Sequence, residues 1–178
     1  VSMYTCTATN ADVADPDVIV GPKSCSGGEC STNIVEFDGL NGGKKYSVSC
    51  LTTNTVGNSA NSVALEIEPV FIPAKPTIGS KPTATTDELT VTVTPPTDIG
   101  GAAKIDKYKC RAEHTVDGSL GSGASKEQES ETATVKLSNL TPGNEYKVTC
   151  LVINSVGKSE WSAPSTGNWV GTVPNAPL

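Results

Sequence analysis

The chain has 178 residues, a formal net charge of −6 and a hydrophobic content of 36%. An acidic surface repels phosphate groups, which disfavours nucleic acid as a partner, and the apolar runs are too short for a membrane-spanning helix. Abundant valine, isoleucine and threonine with 17 glycines and 12 prolines favour short strands joined by turns.

The sequence contains an internal repeat that carries its cysteines with it. Residues 46–59 read YSVSCLTTNTVGNS and residues 146–159 read YKVTCLVINSVGKS, and eight of these fourteen positions are identical. Upstream, MYTC at 3–6 corresponds to KYKC at 107–110. Self-similarity at this spacing predicts two copies of one small folding unit. The first copy opens at the strand that corresponds to 105–113.

The second copy can be divided into strands along its length. The pattern predicts an edge strand interrupted by prolines at 76–84 and a strand of period two at 88–94, followed by a strand at 105–113. A polar Gly/Ser-rich connection at 116–130 then leads to a short strand at 132–137, a corner at 139–146, a strand from Tyr146 and a last strand around 162–170. About seven short strands in about 95 residues are typical of an immunoglobulin-like sandwich.

These residues carry a resemblance to a known family. The runs PPTDIGGAAKIDKYKC (95–110) and LSNLTPGNEYKVTCLVINSVGKSEWSAP (137–164) resemble a fibronectin type III domain. The spacing of Leu140 and Tyr146 resembles the family's tyrosine corner, and Leu40 and Tyr46 repeat it in the first copy. The resemblance implies an all-β fold of tandem immunoglobulin-like (fibronectin type III) β-sandwiches, the first lacking its N-terminal strands.

Cysteines are a departure from the family pattern. The six cysteines lack the spacing of a zinc site, so we expect disulfides and an oxidising, extracellular or cell-surface location. In the sandwich that the resemblance implies, Cys110 and Cys150 face inward on neighbouring strands and can form a bridge. By register Cys6 then pairs with Cys50, which leaves Cys25 and Cys30 for a short bridge, although four cysteines allow three pairings.

A second departure concerns the core. Val93 stands where the family usually has tryptophan, and we expect the Cys110–Cys150 bridge to occupy part of the space of the missing indole.

The domain boundaries follow from the repeat. We predict a partial fibronectin type III-like domain at 1–72, a complete one at 73–172, and the start of a further linker or domain at 173–178. The first copy lacks two strands, which leaves the strand near 33–37 with an open edge. Two interpretations remain: the chain is a segment of a longer tandem array, or another chain donates the strands.

Few residues suggest catalysis, metal binding or modification. His114 is the only histidine and no catalytic motif occurs, so we expect neither enzymatic activity nor a cofactor or metal. The acidic loop containing Asp12, Asp15 and Asp17 lacks the glycine and distal glutamate of a calcium-binding EF-hand. Asn139-Leu140-Thr141 is a possible N-glycosylation site.

The family resemblance implies an extracellular structural or adhesion segment, a tandem spacer of a larger surface or filament-forming protein. Its expected partners are other proteins or further copies of itself, without membrane insertion of this segment. The alternative is a ligand-recognition module, for carbohydrate or protein, of a secreted protein or receptor ectodomain. Trp169 and Phe71 are the aromatic residues available for such a surface, and residues 70–75 between the domains are a further candidate.

Overall fold

The computed structural model describes residues 3–11, 18–24, 35–116, 119–120 and 125–171. Every helix or strand assigned within these ranges is a β-strand, and none of them contains a helix long and apolar enough to cross a membrane. The chain divides into two compact units, Val1–Val70 and Phe71–Leu178. Each unit is described by itself.

The described part of the first unit is one antiparallel sheet in the order β2-β1-β3-β4. Along β1, Cys6, Ala8 and Asn10 alternate with more exposed residues, as the two-residue period of a strand requires. The central pair, β1 and β3, keeps Cys6 directly opposite Cys50. The strands are β1 (Met3–Asn10), β2 (Val18–Ser24), β3 (Tyr46–Thr53) and β4 (Leu65–Ile67).

The strand predicted near 33–37 is not formed in its described part. Residues 35–38 are irregular, and 33–34 lie outside the described residues. In the second unit the corresponding strand, β11 (Thr134–Leu137), pairs with β7 (Leu89–Thr94). The described part of the first unit has no counterpart of β7, and a strand without a partner leaves its backbone groups unpaired.

Several predictions fall outside the described residues. They concern the Cys25–Cys30 bridge, the acidic residues Asp12, Asp15 and Asp17, and the segment 173–178.

The second unit is a sandwich of two sheets. One has the order β10-β8-β12-β13 with β9 beside β8, and the other has the order β11-β7-β5 with β6 beside β7. The predicted all-β sandwich is therefore confirmed. The remaining strands are β5 (Thr77–Ile78), β6 (Thr83–Ala84), β8 (Lys107–Val116), β9 (Ser119–Leu120), β10 (Lys126–Ser130), β12 (Glu145–Ile153) and β13 (Asn168–Trp169).

Alternation along β7 and β12 builds the core of this sandwich. Leu89, Val91 and Val93 are buried on one face of β7, while its threonines are more exposed. Val93, at the position of the family's tryptophan, belongs to the same buried cluster as the Cys110–Cys150 bridge. The cluster is completed by Ala112, Val135, Leu137, Leu140, Tyr146, Val148, Val152 and Val170.

Two predicted edge strands are shorter than expected. The edge predicted at 76–84 is split into β5 and β6, because prolines at 76 and 82 cannot donate to a ladder. Gly79 between them still donates its N–H to the Thr92 carbonyl of β7. The last strand, predicted around 162–170, is limited to β13. The residues before β13 bind β12 through serine hydroxyl groups as well as main-chain groups.

Two strands of the second unit, β9 and β10, were not predicted. The segment 126–130, assigned from sequence to a connection, forms β10 at the sheet edge beside β8. It has no apolar alternation because its side chains are mostly exposed. Two ion pairs join β10 to β8: Lys109 Nζ lies 2.6 Å from Glu127 Oε2, and Lys107 Nζ lies 3.3 Å from Glu129 Oε2. The hydrogen bond with Glu127 is the main cause that raises the pKa of Lys109 above 10.5.

Candidate functional site

A disulfide joins the two central strands of each unit. In the first unit it links Cys6 to Cys50, and in the second it links Cys110 to Cys150, with Cα–Cα distances of 4.0 and 4.1 Å. Each bridge therefore connects residues directly opposite each other in an antiparallel pair. The two bridges differ in access to solvent, since Cys110 and Cys150 are fully buried whereas Cys50 is half-exposed.

Each unit also contains the tyrosine corner. The hydroxyl of Tyr46 accepts a hydrogen bond from the Asn41 N–H at 2.9 Å, and that of Tyr146 accepts one from the Thr141 N–H at 3.0 Å. Both tyrosines are buried, so the hydroxyl needs this partner. Leu140 is buried beside its corner, and Leu40 is half-buried.

Asn139 occupies an unusual backbone position at the second corner. Its φ is 61°, in the left-handed region that asparagine tolerates better than most residues, and Gly39 holds the same position in the first unit with φ 81°. The residue is exposed, as a glycan acceptor must be, but its neighbour Leu140 is buried. Glycosylation at Asn139 stays a prediction.

The segment before β13 binds β12 through a serine ladder, defined as Ser159, Ser162 and Ser165. Each serine N–H donates to a β12 carbonyl, and each serine Oγ accepts from the N–H of that same β12 residue. The partners are Val152, Cys150 and Val148 in turn. Successive serines are three residues apart, whereas their partners on β12 are two residues apart. The two segments therefore cannot form a regular ladder of main-chain hydrogen bonds.

The first unit repeats this arrangement. Ser59 binds Thr52 and Ser62 binds Cys50 in the same two ways. The three-residue spacing of serines after each NxVG turn is a sequence signal that could have predicted the ladder.

Arg111 and Trp161 form a stacked pair at the outer face of the β10-β8-β12-β13 sheet. The Arg111 guanidinium lies 4.5 Å from the centre of the Trp161 ring, and its Nε donates to Thr149 Oγ1 at 3.1 Å. Leu151 and Thr149 are buried although their register points them away from the core. Trp161 lies between Ser159 and Ser162, two residues of the serine ladder.

His114 has a structural environment. It lies within β8, directly opposite Tyr146 of β12, with the two rings tilted and their centroids 5.8 Å apart. Among the described residues no group of three or more histidine, cysteine, aspartate or glutamate side chains could hold a metal ion.

The two candidate aromatic residues do not form one binding platform. Trp169 is 66% exposed and Phe71 is 44% exposed. Trp169 pairs with Glu145 at the start of β12, whereas the Phe71 carbonyl binds the side chain of Asn154, just beyond its end. At about 3.3 Å per residue, these points are about 30 Å apart.

The fold, the paired corners and the bridged central strands define an immunoglobulin-like β-sandwich protein. The family model for the fibronectin type III domain matches residues 74–168, which is more than half of the chain. The chain belongs to the fibronectin type III domain family.

The solved structures that match the chain have low sequence identity to it. A crystal structure of domains from titin is 18% identical with a TM-score of 0.54, and the match covers 93% of this chain and 53% of that chain. A segment of two fibronectin type III domains from chicken tenascin is 18% identical with a TM-score of 0.47, covering 96% and 84%. Titin kinase with its flanking domains is 23% identical with a TM-score of 0.47, covering 56% and 17%.

The matched region is only part of several of these proteins. The match spans 17% of the titin kinase structure and 17% of a twitchin kinase region from C. elegans. No curated protein is significantly similar in sequence to the chain.

Proposed function

We propose that the chain is an extracellular structural or adhesion segment, in which β-sandwich units serve as spacers of a larger surface or filament-forming protein. One observation carries this proposal: both units have a disulfide at the same register of their two central strands. Domains of this family are generally non-catalytic structural modules. Disulfides persist in oxidising compartments, which supports an extracellular location.

Such bridges suit a spacer that bears load. The Cys110–Cys150 bridge encloses β9, β10 and β11. A force applied along the chain passes through the bridge and bypasses the enclosed residues. Opening of the unit therefore releases only the residues outside the bridge, which limits the length that the chain gains.

Single-molecule force spectroscopy of the full chain tests this mechanical role. With 40 residues of sequence separation at up to about 3.6 Å each, the second bridge hides about 140 Å of contour length. The first, with a separation of 44, hides about 160 Å. Each unfolding step should lengthen by these amounts after reduction. Steps of equal length in oxidised and reduced protein would contradict the load-bearing bridge.

The location is tested separately. An antibody against the chain should label intact cells of the source organism without permeabilisation. Labelling that appears only after permeabilisation would refute the extracellular assignment.

A recognition module is the second candidate, favoured by the exposed Trp169 ring. Because Phe71 lies at the other end of β12, a ligand would meet one ring, which suits a protein partner better than a sugar chain. Loss of partner capture in Trp169→Phe, with Tyr108→Phe as a matched control at a core-facing aromatic residue, would support this candidate. Capture that is unchanged in Trp169→Ala would exclude it.

A further inference from the structure

The two tyrosine corners contain turns of the same geometry but of different sequence. Residues 41–44 of the first unit read NGGK, and the equivalent residues 141–144 of the second unit read TPGN. The third residue of each turn is a glycine with positive φ, 73° at Gly43 and 83° at Gly143. In both turns the N–H of the fourth residue donates to the carbonyl of the first at 3.4 Å. The backbone is therefore shared, and the difference lies in the side chains.

The first turn places an asparagine directly before a glycine. Asn41 is the one asparagine of the sequence that glycine follows. It is exposed, and no hydrogen bond joins its carboxamide or the N–H of Gly42 to any of the residues that the structure describes. Glycine has no side chain to shield its nitrogen and the greatest backbone freedom of any residue. The main-chain nitrogen of Gly42 can therefore approach the Cγ atom of Asn41.

Access of solvent to this turn is a property of the fold. In the second unit, where both sheets of the sandwich are described, Thr141, Pro142 and Gly143 are exposed as well. The residues that flank the turn, Leu140 and Tyr146, are buried. The turn thus projects from the sandwich, and water reaches Asn41 whatever covers the sheet of the first unit.

We propose that Asn41-Gly42 is a site of spontaneous deamidation, which converts Asn41 to aspartate and iso-aspartate. The main-chain nitrogen of Gly42 loses its proton to a solvent base and attacks Cγ of Asn41. The new N–Cγ bond replaces the Cγ–Nδ2 bond, and Nδ2 takes a proton from water and leaves as ammonia. Water then opens the resulting cyclic imide. Addition at Cγ gives aspartate, and addition at the main-chain carbonyl gives iso-aspartate.

The second unit lacks both reacting groups at the equivalent positions. Thr141 has no carboxamide, and Pro142 has no N–H that could be lost to make its nitrogen a nucleophile. Asn144 in the same turn is followed by Glu145, whose side chain hinders the approach of the main-chain nitrogen. The reaction therefore modifies the corner of the first unit and leaves that of the second unit intact.

Iso-aspartate alters the first corner because the main chain gains one carbon atom at residue 41. The former Asn41 carbonyl, which accepts from the Lys44 N–H, becomes a carboxylate outside the main chain. The same turn carries two further donors: the Gly43 N–H binds the Pro69 carbonyl at 2.9 Å, and the Asn41 N–H binds the Tyr46 hydroxyl at 2.9 Å. The longer backbone displaces these donors, so we expect modification to loosen β3, which begins at Tyr46.

Storage of the full oxidised chain at neutral and at mildly alkaline pH tests the reaction. Peptide mapping by mass spectrometry should show conversion of the Asn41 carboxamide to a carboxylic acid, with two products that separate on chromatography. The rate should rise with pH because the attacking nitrogen must lose its proton. Asn144 is the internal reference and should react at least tenfold more slowly. A synthetic peptide of residues 36–46 reports the rate in the absence of the fold, and the rate in the protein should lie within tenfold of it.

Two variants serve as matched controls. Gly42→Pro copies Pro142 of the second unit and removes the attacking N–H, so it should lower the rate at residue 41 at least tenfold. Asn41→Thr copies Thr141 and removes the carboxamide, and it keeps the test valid even where Gly42→Pro impairs folding. After storage, hydrogen exchange of the β3 amides should be at least threefold faster in the native chain and unchanged in Asn41→Thr. The amides of β12 should exchange at the same rate before and after storage.

Three results would overturn the proposal. Equal rates in the native chain and in Gly42→Pro would show that the Gly42 nitrogen is not the nucleophile. A rate in the protein more than tenfold below that of the peptide would show that the folded turn protects Asn41. Unchanged exchange of β3 in fully modified protein would show that the corner does not depend on the backbone at residue 41.

Discussion

Loss of the bridge in the second unit should have a large and calculable effect. We consider Cys110→Val with Cys150→Val, which removes the cross-link but keeps two apolar, strand-favouring side chains at a directly opposed pair. The bridge closes a loop of about 41 residues, so the unfolded chain regains about 4 kcal/mol of conformational entropy on the loop-closure model. For a domain of this size the melting temperature should fall by about 15–30 °C.

The chain provides its own probe for this experiment. Both tryptophans, Trp161 and Trp169, lie in the second unit, so urea unfolding followed by tryptophan fluorescence reports that unit alone. The urea dependence of the unfolding free energy should also steepen, because the unlinked chain exposes more surface when it unfolds.

A second pair of substitutions separates the cross-link from packing. Cys110→Ala with Cys150→Ala should cost a further 1–3 kcal/mol or so, because both side chains are fully buried and alanine leaves a cavity. If the valine pair lowers the unfolding free energy by less than about 1 kcal/mol, the entropic reasoning is refuted. Equal losses for both pairs would show that the packing contribution is absent.

Three further predictions compare equivalent positions of the two units. Asn139→Ala should lower the unfolding free energy by about 1 kcal/mol while Asn139→Gly leaves it nearly unchanged, because φ is 61° there and glycine already serves at the equivalent Gly39; equal urea midpoints would contradict this. Ser162→Ala should cost about 1–3 kcal/mol, since the buried Cys150 N–H loses its acceptor, whereas Ser62→Ala should cost less than about 1 because water can reach the Cys50 N–H; hydrogen exchange at the two cysteine amides measures the difference. Cys6–Cys50 should be reduced at least tenfold faster than Cys110–Cys150, because exchange needs access to sulfur and only Cys50 is half-exposed; alkylation and peptide mapping over time would show similar rates if this is wrong.

The sequence predicted the structure best where apolar residues alternate along a strand or where a motif has a fixed spacing. The alternation of 88–94 predicted β7 and its buried face, because a strand with one buried side must alternate. The spacing of Leu140 and Tyr146 located the corner for a similar reason, since a fixed loop length brings the hydroxyl to one particular N–H. The repeat then transferred the corner to the first unit, where Tyr46 accepts the equivalent hydrogen bond.

The features that sequence did not predict depend on polar contacts made across strands. In β10 the segment KEQES is held by pairing with β8 and by ion pairs, so it has no apolar period to detect. The stack of Arg111 on Trp161 joins residues 50 positions apart, and nothing local indicates that they meet. The contact between the rings of His114 and Tyr146 likewise joins two strands that are distant in the sequence.

The serine ladder has a consequence for the edge of the main sheet. The edge of β12 at Val148, Cys150 and Val152 would otherwise present main-chain donors and acceptors at the spacing that another strand recognises. Each of these groups is instead engaged by one serine, and the segment that provides the serines is not extended enough to continue the pattern. Where many such units are close together, the serine hydrogen bonds should prevent edge-to-edge pairing of neighbouring sheets and so prevent aggregation. Serine hydroxyl groups thus protect this edge, as charged residues or prolines protect the edges of other sheets.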